Sequence, residues 1–244
     1  MKAIVTGTSR GLGAAIATTL LERGIPVLGL ARQSNPALNG FDASCTQATL
    51  DLSDLAALTR WLASDEMARF LADEDAVLLI NNAGTVAPVG PLGTQGGAAV
   101  SQAVSLNVAA PLMLADAFVT AAPAATDRRI VHVSSGAARK AYAGWNVYGA
   151  TKAALDHHAR AAVEDGVPGL RICSLAPGLV DTDMQVQVRS SDEARFPARE
   201  RFETLKRDGA LLAPAVCAAQ LVRYLLSDGF GADATADLRE LASA

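Results

Sequence analysis

Tyr148 and Lys152 stand four residues apart in the run YGATK. In a helix that spacing puts a phenol and an ammonium on one face, one turn apart. A free phenol, with a pKa near ~10, is a poor base at neutral pH. A lysine charge about 5 Å away, at an effective dielectric near ~20, would favour the phenolate by roughly 3 kcal/mol, or about two pK units. Such a pair could move a proton to or from a substrate oxygen. YxxxK is common by chance, but other polar residues gather around it. Ser134 and Ser135 end the apolar run IVHVSS just before the Tyr148 segment. A serine hydroxyl there can hold a substrate oxygen against the phenol. Asn81-Asn82-Ala83-Gly84 closes a second apolar run, and Asn107 falls within the helical stretch SLNVAAP, where a mid-helix Asn is locally unfavourable and could mark a kink before Pro111. Trp145, three residues before Tyr148, is either an aromatic pocket wall or a loop packing residue.

A second constellation suits an anion. The first apolar run ends in Thr6-Gly7-Thr8-Ser9-Arg10-Gly11-Leu12-Gly13. Three glycines at a strand-to-helix turn let a diphosphate approach the backbone at a helix N-terminus, where free N–H groups and the helix dipole favour negative charge. Gly-x3-Gly-x-Gly is not the GxGxxG of other dinucleotide folds. In those folds the end of the second strand meets the adenine ribose, where an acidic residue binds its two hydroxyls. Here that segment reads Leu30-Ala31-Arg32-Gln33-Ser34, without a carboxylate. Arg10 and Arg32 would instead hold a 2′-phosphate through charge-assisted bonds, so NADP(H) is expected over NAD(H).

The elements that must position these groups alternate. Runs 3–6, 27–30, 48–50, 77–80, 130–134 and 170–176 read as strands with no apolar/polar alternation, the mark of parallel strands covered on both faces. Between them, 12–23, 54–71, 96–121 and 147–165 carry apolar residues three and four apart, as helices do. The expected fold is α/β: a single Rossmann domain over 1–244, a doubly wound parallel sheet with helices on both faces. Residues 183–213, rich in arginine and ending before Pro214, break the alternation. They are either a substrate lid over the carboxyl ends of the strands or a solvated pair of helices.

The 244 residues are half apolar and the formal net charge is −4, with no basic run of the kind nucleic acid requires. Cys45, Cys173 and Cys217 form no CxxC pair, which argues against a zinc site or disulfide framework. His157 and His158, being adjacent, point to different helix faces, and His132 alternates with core positions, so no metal is expected. No apolar stretch reads as a signal core or membrane span, and a cytoplasmic protein is expected. No Gly-x-Ser-x-Gly elbow surrounds Ser135, which disfavours a hydrolase nucleophile.

Taken together, TGxxxGxG at 6–13, Asp51, NNAG at 81–84, Asn107, Ser135, YxxxK at 148–152 and Pro177-Gly178 resemble the short-chain dehydrogenase/reductase family over nearly the whole chain. Ser135 precedes Tyr148 by thirteen positions, as in the family pattern, which selects it over Ser134. The resemblance implies that Tyr148 is the general acid in reduction and the base in oxidation. It implies that Lys152 lowers the phenol pKa and holds the nicotinamide ribose, that Ser135 orients the carbonyl, and that Asn107 supports a water-linked proton relay. The implied cofactor site comprises Gly7, Ser9, Arg10, Gly11, Leu12, Gly13 and Arg32, then Asp51 at the adenine amino group with Leu52. It continues through Asn82, Ala83, Gly84, Tyr148, Lys152, Pro177, Gly178 and Val180 to Thr182 at the carboxamide.

The segment from Ala176 to Gln185, with Arg189 and Phe202…Leu205…Gly209…Leu211, resembles the sepiapterin reductase and benzil reductase branch. Members of that branch reduce ketones and vicinal diketones with NADPH, and Asp237 falls where pterin-reducing members carry a substrate-binding aspartate. The expected substrate pocket draws on Ser134, Ser135, Ala137, Trp145, Tyr148, Leu179, Met184 and the 183–213 excursion. The expectation is thus an NADPH-dependent carbonyl reductase with a small-molecule carbonyl or alcohol substrate, forming a homodimer or homotetramer, without nucleic-acid or membrane partners. An alcohol dehydrogenase working oxidatively, or a non-catalytic NADP(H) sensor, stays open at this point; retention of Asn107, Ser135, Tyr148 and Lys152 together argues against the sensor.

Overall fold

A computed structural model describes residues 1–41 and 44–241. Its sheet has seven parallel strands in the order β3-β2-β1-β4-β5-β6-β7. The strands are β1 (Lys2–Thr6), β2 (Val27–Ala31), β3 (Cys45–Thr49), β4 (Ala76–Asn81), β5 (Asp127–Val133), β6 (Leu170–Ala176) and β7 (Thr235–Asp237). The helices are α1 (Gly11–Leu21), α2 (Leu55–Leu62), α3 (Glu66–Leu71), α4 (Gly97–Val104), α5 (Ala110–Ala121), α6 (Asn146–Glu164), α7 (Asp183–Arg189), α8 (Arg199–Arg207), α9 (Pro214–Leu226) and α10 (Leu238–Leu241). The expected fold class holds.

Alternate residues of each central strand feed two cores. Ala3 and Val5 of β1, Leu78 and Ile80 of β4 and Val131 of β5 pack on α1 and α9. Ile4, Leu79 and Ile130 face the other way, toward Leu58, Met67, Leu114 and Phe118 of α2, α3 and α5. Burial on both faces is why these strands show no polar alternation. Three expectations need correction. The third strand lies at Cys45–Thr49 rather than 48–50, where its edge position leaves it only half-buried and blurs its apolar signal. The run 54–71 is two helices, split at Ala63 to Asp65. One helical run, 97–121, is long and apolar enough to cross a membrane by length and composition. Its Ala110, Leu114 and Phe118 are buried against the sheet, as in a core helix.

β1 is flanked by β2 on one side and β4 on the other, so the loops leaving β1 and β4 turn to opposite faces and open a crevice at their carboxyl ends. Ligands bind at such switch points in open α/β sheets.

Candidate active site

At that crevice lies a cleft of 540 Å³. Every residue of the expected cofactor site lines it. The glycine turn is built by close approach: a Cβ on Gly13 would sit 2.2 Å from the Gly7 carbonyl oxygen and 2.4 Å from Asn82 Nδ2. Gly7 and Gly11 hold φ of +75° and +59°, a region that favours glycine. The α1 N-terminus has no side-chain cap, leaving its first N–H groups to a ligand. Asn82 stitches the turn to β4: its Nδ2 donates to the Thr6 carbonyl at 2.9 Å, and Thr6 Oγ1 accepts from the N–H groups of Asn82 and Ala83, both at 2.9 Å. This cradle fits a dinucleotide diphosphate.

At the adenine end, Arg32 is exposed at the tip of β2, and Asp51 is held below the usual carboxylate range by hydrogen bonds from Ser53, aided by Arg32. Arg10 differs from expectation. Its guanidinium reaches Asp183 at the start of α7 across 3.3 Å, both side chains being exposed. A bridge of that kind is weak.

At the other end, α6 presents Tyr148 and Lys152 on its buried face. Lys152 Nζ donates to the Val133 carbonyl at 2.8 Å and lies 5.9 Å from the centre of the Tyr148 ring. Burial lowers the Lys152 pKa to about 8, opposed by the Asp156 carboxylate one turn further along α6. Burial pushes the Tyr148 phenol above its ordinary value, against a smaller lowering from the Ser135 hydroxyl, so the phenol carries its proton at neutral pH.

Ser134 and Ser135 diverge. Ser135 caps a short 3-10 turn, accepting the Ala137 N–H at 3.1 Å, and faces Tyr148. Ser134 lines the cleft, but its hydroxyl turns away and donates to Asp156 at 2.7 Å. Asp156 is buried and also accepts from Ser174 Oγ at 2.8 Å and Arg139 Nε at 3.1 Å. Sequence reading missed this carboxylate, although its place four residues after Lys152 put it on the same helix face.

Asn107 sits in a π-helical turn, Ser105–Ala109, between α4 and α5. The turn aims its amide at the loop after β4: Nδ2 donates to Thr85 O at 2.8 Å and Thr151 Oγ1 at 3.0 Å, and Oδ1 accepts the Thr85 N–H at 2.8 Å. Its side chain does not line the cleft but holds Gly84, where a Cβ would stand 3.3 Å from Asn107 Oδ1 and 3.5 Å from Lys152 Nζ. His132 is also buried, contacting Asn81 Nδ2 at 3.2 Å and His158 Nδ1 at 3.1 Å. Burial holds its pKa at about 3, so it is neutral.

The 183–213 excursion forms α7 and α8 over the cleft. Val188, Phe196 and Phe202 of this segment bury against Trp145 and Tyr148, so it is packed on the site rather than standing free in solvent. Trp145 stacks on Phe196 with centroids 4.7 Å apart and meets Tyr148 edge-on at 5.2 Å. Leu179 and Met184 pack on the same cluster and line the cleft. Arg201, Phe202 and Leu205 of the 183–213 segment line it as expected; Tyr142, from the loop before α6, and Arg239, from the C-terminal tail, line it too and were missed, because only tertiary packing brings them there. The placement of Asp237 as a substrate ligand is not what the fold provides. Asp237 is buried in β7 outside the cleft lining, bridged to Arg239 at 2.9 and 2.6 Å, and it is Arg239 that reaches the cleft.

The short chain dehydrogenase family model matches residues 1–193. A benzil reductase from Bacillus cereus, forming (S)-benzoin, is 34% identical, with 93% of this chain and 94% of that protein covered. Sepiapterin reductase from Mus musculus is 32% identical, with 96% and 95% covered. A solved short-chain dehydrogenase/reductase structure from Burkholderia vietnamiensis shares 49% identity at a TM-score of 0.72, covering 98% of this chain and 97% of that one. With the family match spanning most of its length and curated relatives above 30% identity along nearly all of it, the chain belongs to the short-chain dehydrogenase family of oxidoreductases, which act on CH–OH and C=O groups.

Proposed function

We propose that the protein is an NADPH-dependent carbonyl reductase acting on ketones or vicinal diketones, with Tyr148 as proton donor. The observation that carries this reading is a single cleft in which Ser135, Tyr148 and Lys152 lie together beside an aromatic wall, continuous with the glycine cradle. A substrate carbonyl entering there accepts from Ser135 and Tyr148 together, which polarises the carbon. A bound nicotinamide dinucleotide supplies the hydride. Lys152, charged below about pH 8, holds the ribose hydroxyls next to Tyr148 and replenishes positive potential as the phenol gives up its proton. Asn107 keeps the Thr85 loop and Gly84 close to Lys152.

NADP(H) is preferred in this reading because Arg32 stands at the adenine end, where Asp51 is occupied by Ser53, and Arg10 lines the same cleft. A phosphate bearing about two negative charges competes well for Arg10 against an exposed carboxylate. The two relatives reduce benzil and sepiapterin by name, which supports a carbonyl substrate and the reductive direction. The test is NADPH consumption with a panel of ketones and diketones headed by benzil. Turnover by the wild type that Tyr148→Phe abolishes, with cofactor binding retained, supports the reading. A wild type that binds NADPH and reduces no carbonyl favours a cofactor sensor.

A further inference from the structure

Charge is distributed unevenly along the cleft. Five cationic side chains line it, Arg10, Arg32, Lys152, Arg201 and Arg239, against two carboxylates, Asp51 and Asp183. Asp51 is at the adenine end and Asp183 is bridged to Arg10. The lid end therefore presents Arg201 and Arg239 with no carboxylate among the lining residues. The chain as a whole is acidic, at −4, so this is a local reversal of sign.

Tyr142 also lines the cleft. The Arg201 guanidinium carbon lies 5.9 Å from the centre of the Tyr142 ring, and Lys140 Nζ lies 5.7 Å from it. Arg239 lines the same cleft and packs its stem over Gly178, where a Cβ would stand 3.4 Å from Arg239 Cγ. The Asp237 carboxylate is committed to Arg239 through two hydrogen bonds and offsets that one charge, whereas Arg201 and Lys140 make no ion pair among the described residues. Two such cations thus lie over the Tyr142 ring, with Arg239 lining the same cleft.

This cationic rim is separated from the reacting centre by aromatic surface. From the Tyr148 ring the path runs 5.2 Å to Trp145 and a further 5.5 Å to Tyr142, with Phe202 6.5 Å from Tyr142 across the lid. We propose that the cleft takes a carbonyl compound with a flat apolar body and an anionic group, carboxylate or phosphate, at the end away from the reacting carbonyl, held by Arg201, over Tyr142, together with Arg239. The body lies along Trp145 and Phe202, and the anion replaces water at guanidiniums already gathered for it. This deepens the carbonyl-reductase reading and rests on it.

The experiment compares 4-carboxybenzil with its methyl ester, taking benzil as the neutral reference. The acid is expected to show a kcat/KM about tenfold above the ester at low salt, an advantage that shrinks as ionic strength rises. In Arg201→Gln the acid-to-ester ratio falls about tenfold, and in Arg201→Glu it inverts. An ester preferred by the wild type, or a ratio unmoved by both Arg201 variants and by salt, overturns the subsite. Trp fluorescence of the NADP-loaded protein, titrated with 4-carboxybenzil and its ester, reads the subsite independently of turnover. If neither benzil nor either derivative is reduced but the acid still binds tighter, the subsite stands and the reductase reading falls. Equal binding of acid and ester removes the subsite alone.

Discussion

Asp156 acts on Lys152 from one turn further along α6, favouring its charged form against the burial that draws it to about 8. The same carboxylate gathers Ser134, Ser174 and Arg139, tying the helix that carries Tyr148 to the ends of β5 and β6. It touches neither the cleft nor the phenol, so it is a positioning residue.

Asp156→Asn separates its charge from its packing. Burial then works on Lys152 less opposed, so the ammonium loses its proton at a lower pH. The basic limb of kcat/KM for NADPH, which reports the cofactor-free enzyme, lies near about 8 in the wild type and moves down by about one pH unit in the variant. A role in packing alone would lower the melting temperature and leave the limb in place.

The two adjacent serines should part company. Ser135→Ala removes the hydroxyl that meets Tyr148 and is expected to lower kcat about a hundredfold with little change in melting temperature. Ser134→Ala removes one of three donors from buried Asp156 and is expected to cost about 1–3 kcal/mol of stability while kcat changes only a few-fold. Steady-state kinetics and thermal melts on both variants check the pair; equal loss of kcat would refute the division of labour.

Cofactor choice is expected to follow Arg32. Arg32→Ala should lower kcat/KM for NADPH about tenfold and leave that for NADH nearly unchanged. An Arg32 variant that affects both cofactors alike would move the 2′-phosphate elsewhere.

The parts of this molecule legible in its sequence are those encoded locally. Uniform apolar runs gave the central strands β1, β2, β4, β5 and β6, because each is buried on both faces. β7 has three residues and depends on pairing with β6, so no run could announce it. α9, opened by Pro214 directly after the charged 183–213 segment, lies outside the expected helices. The glycine turn and YxxxK carry their geometry in short spacings. Arg239 in the tail and Tyr142 in the loop before α6 reach the cleft only through tertiary packing, which no spacing encodes. The Tyr148–Lys152 spacing follows from the helix, but the burial that raises the phenol pKa does not.

The central claim is that a phenol, kept protonated by its surroundings, delivers the proton while the rest of the site binds and orients. Tyr148→Phe keeps the ring and its packing on Trp145 and deletes only the hydroxyl. With benzil and NADPH its kcat should fall about a thousandfold, with NADPH affinity within a few-fold of wild type. A variant that keeps more than a tenth of wild-type kcat would contradict the account.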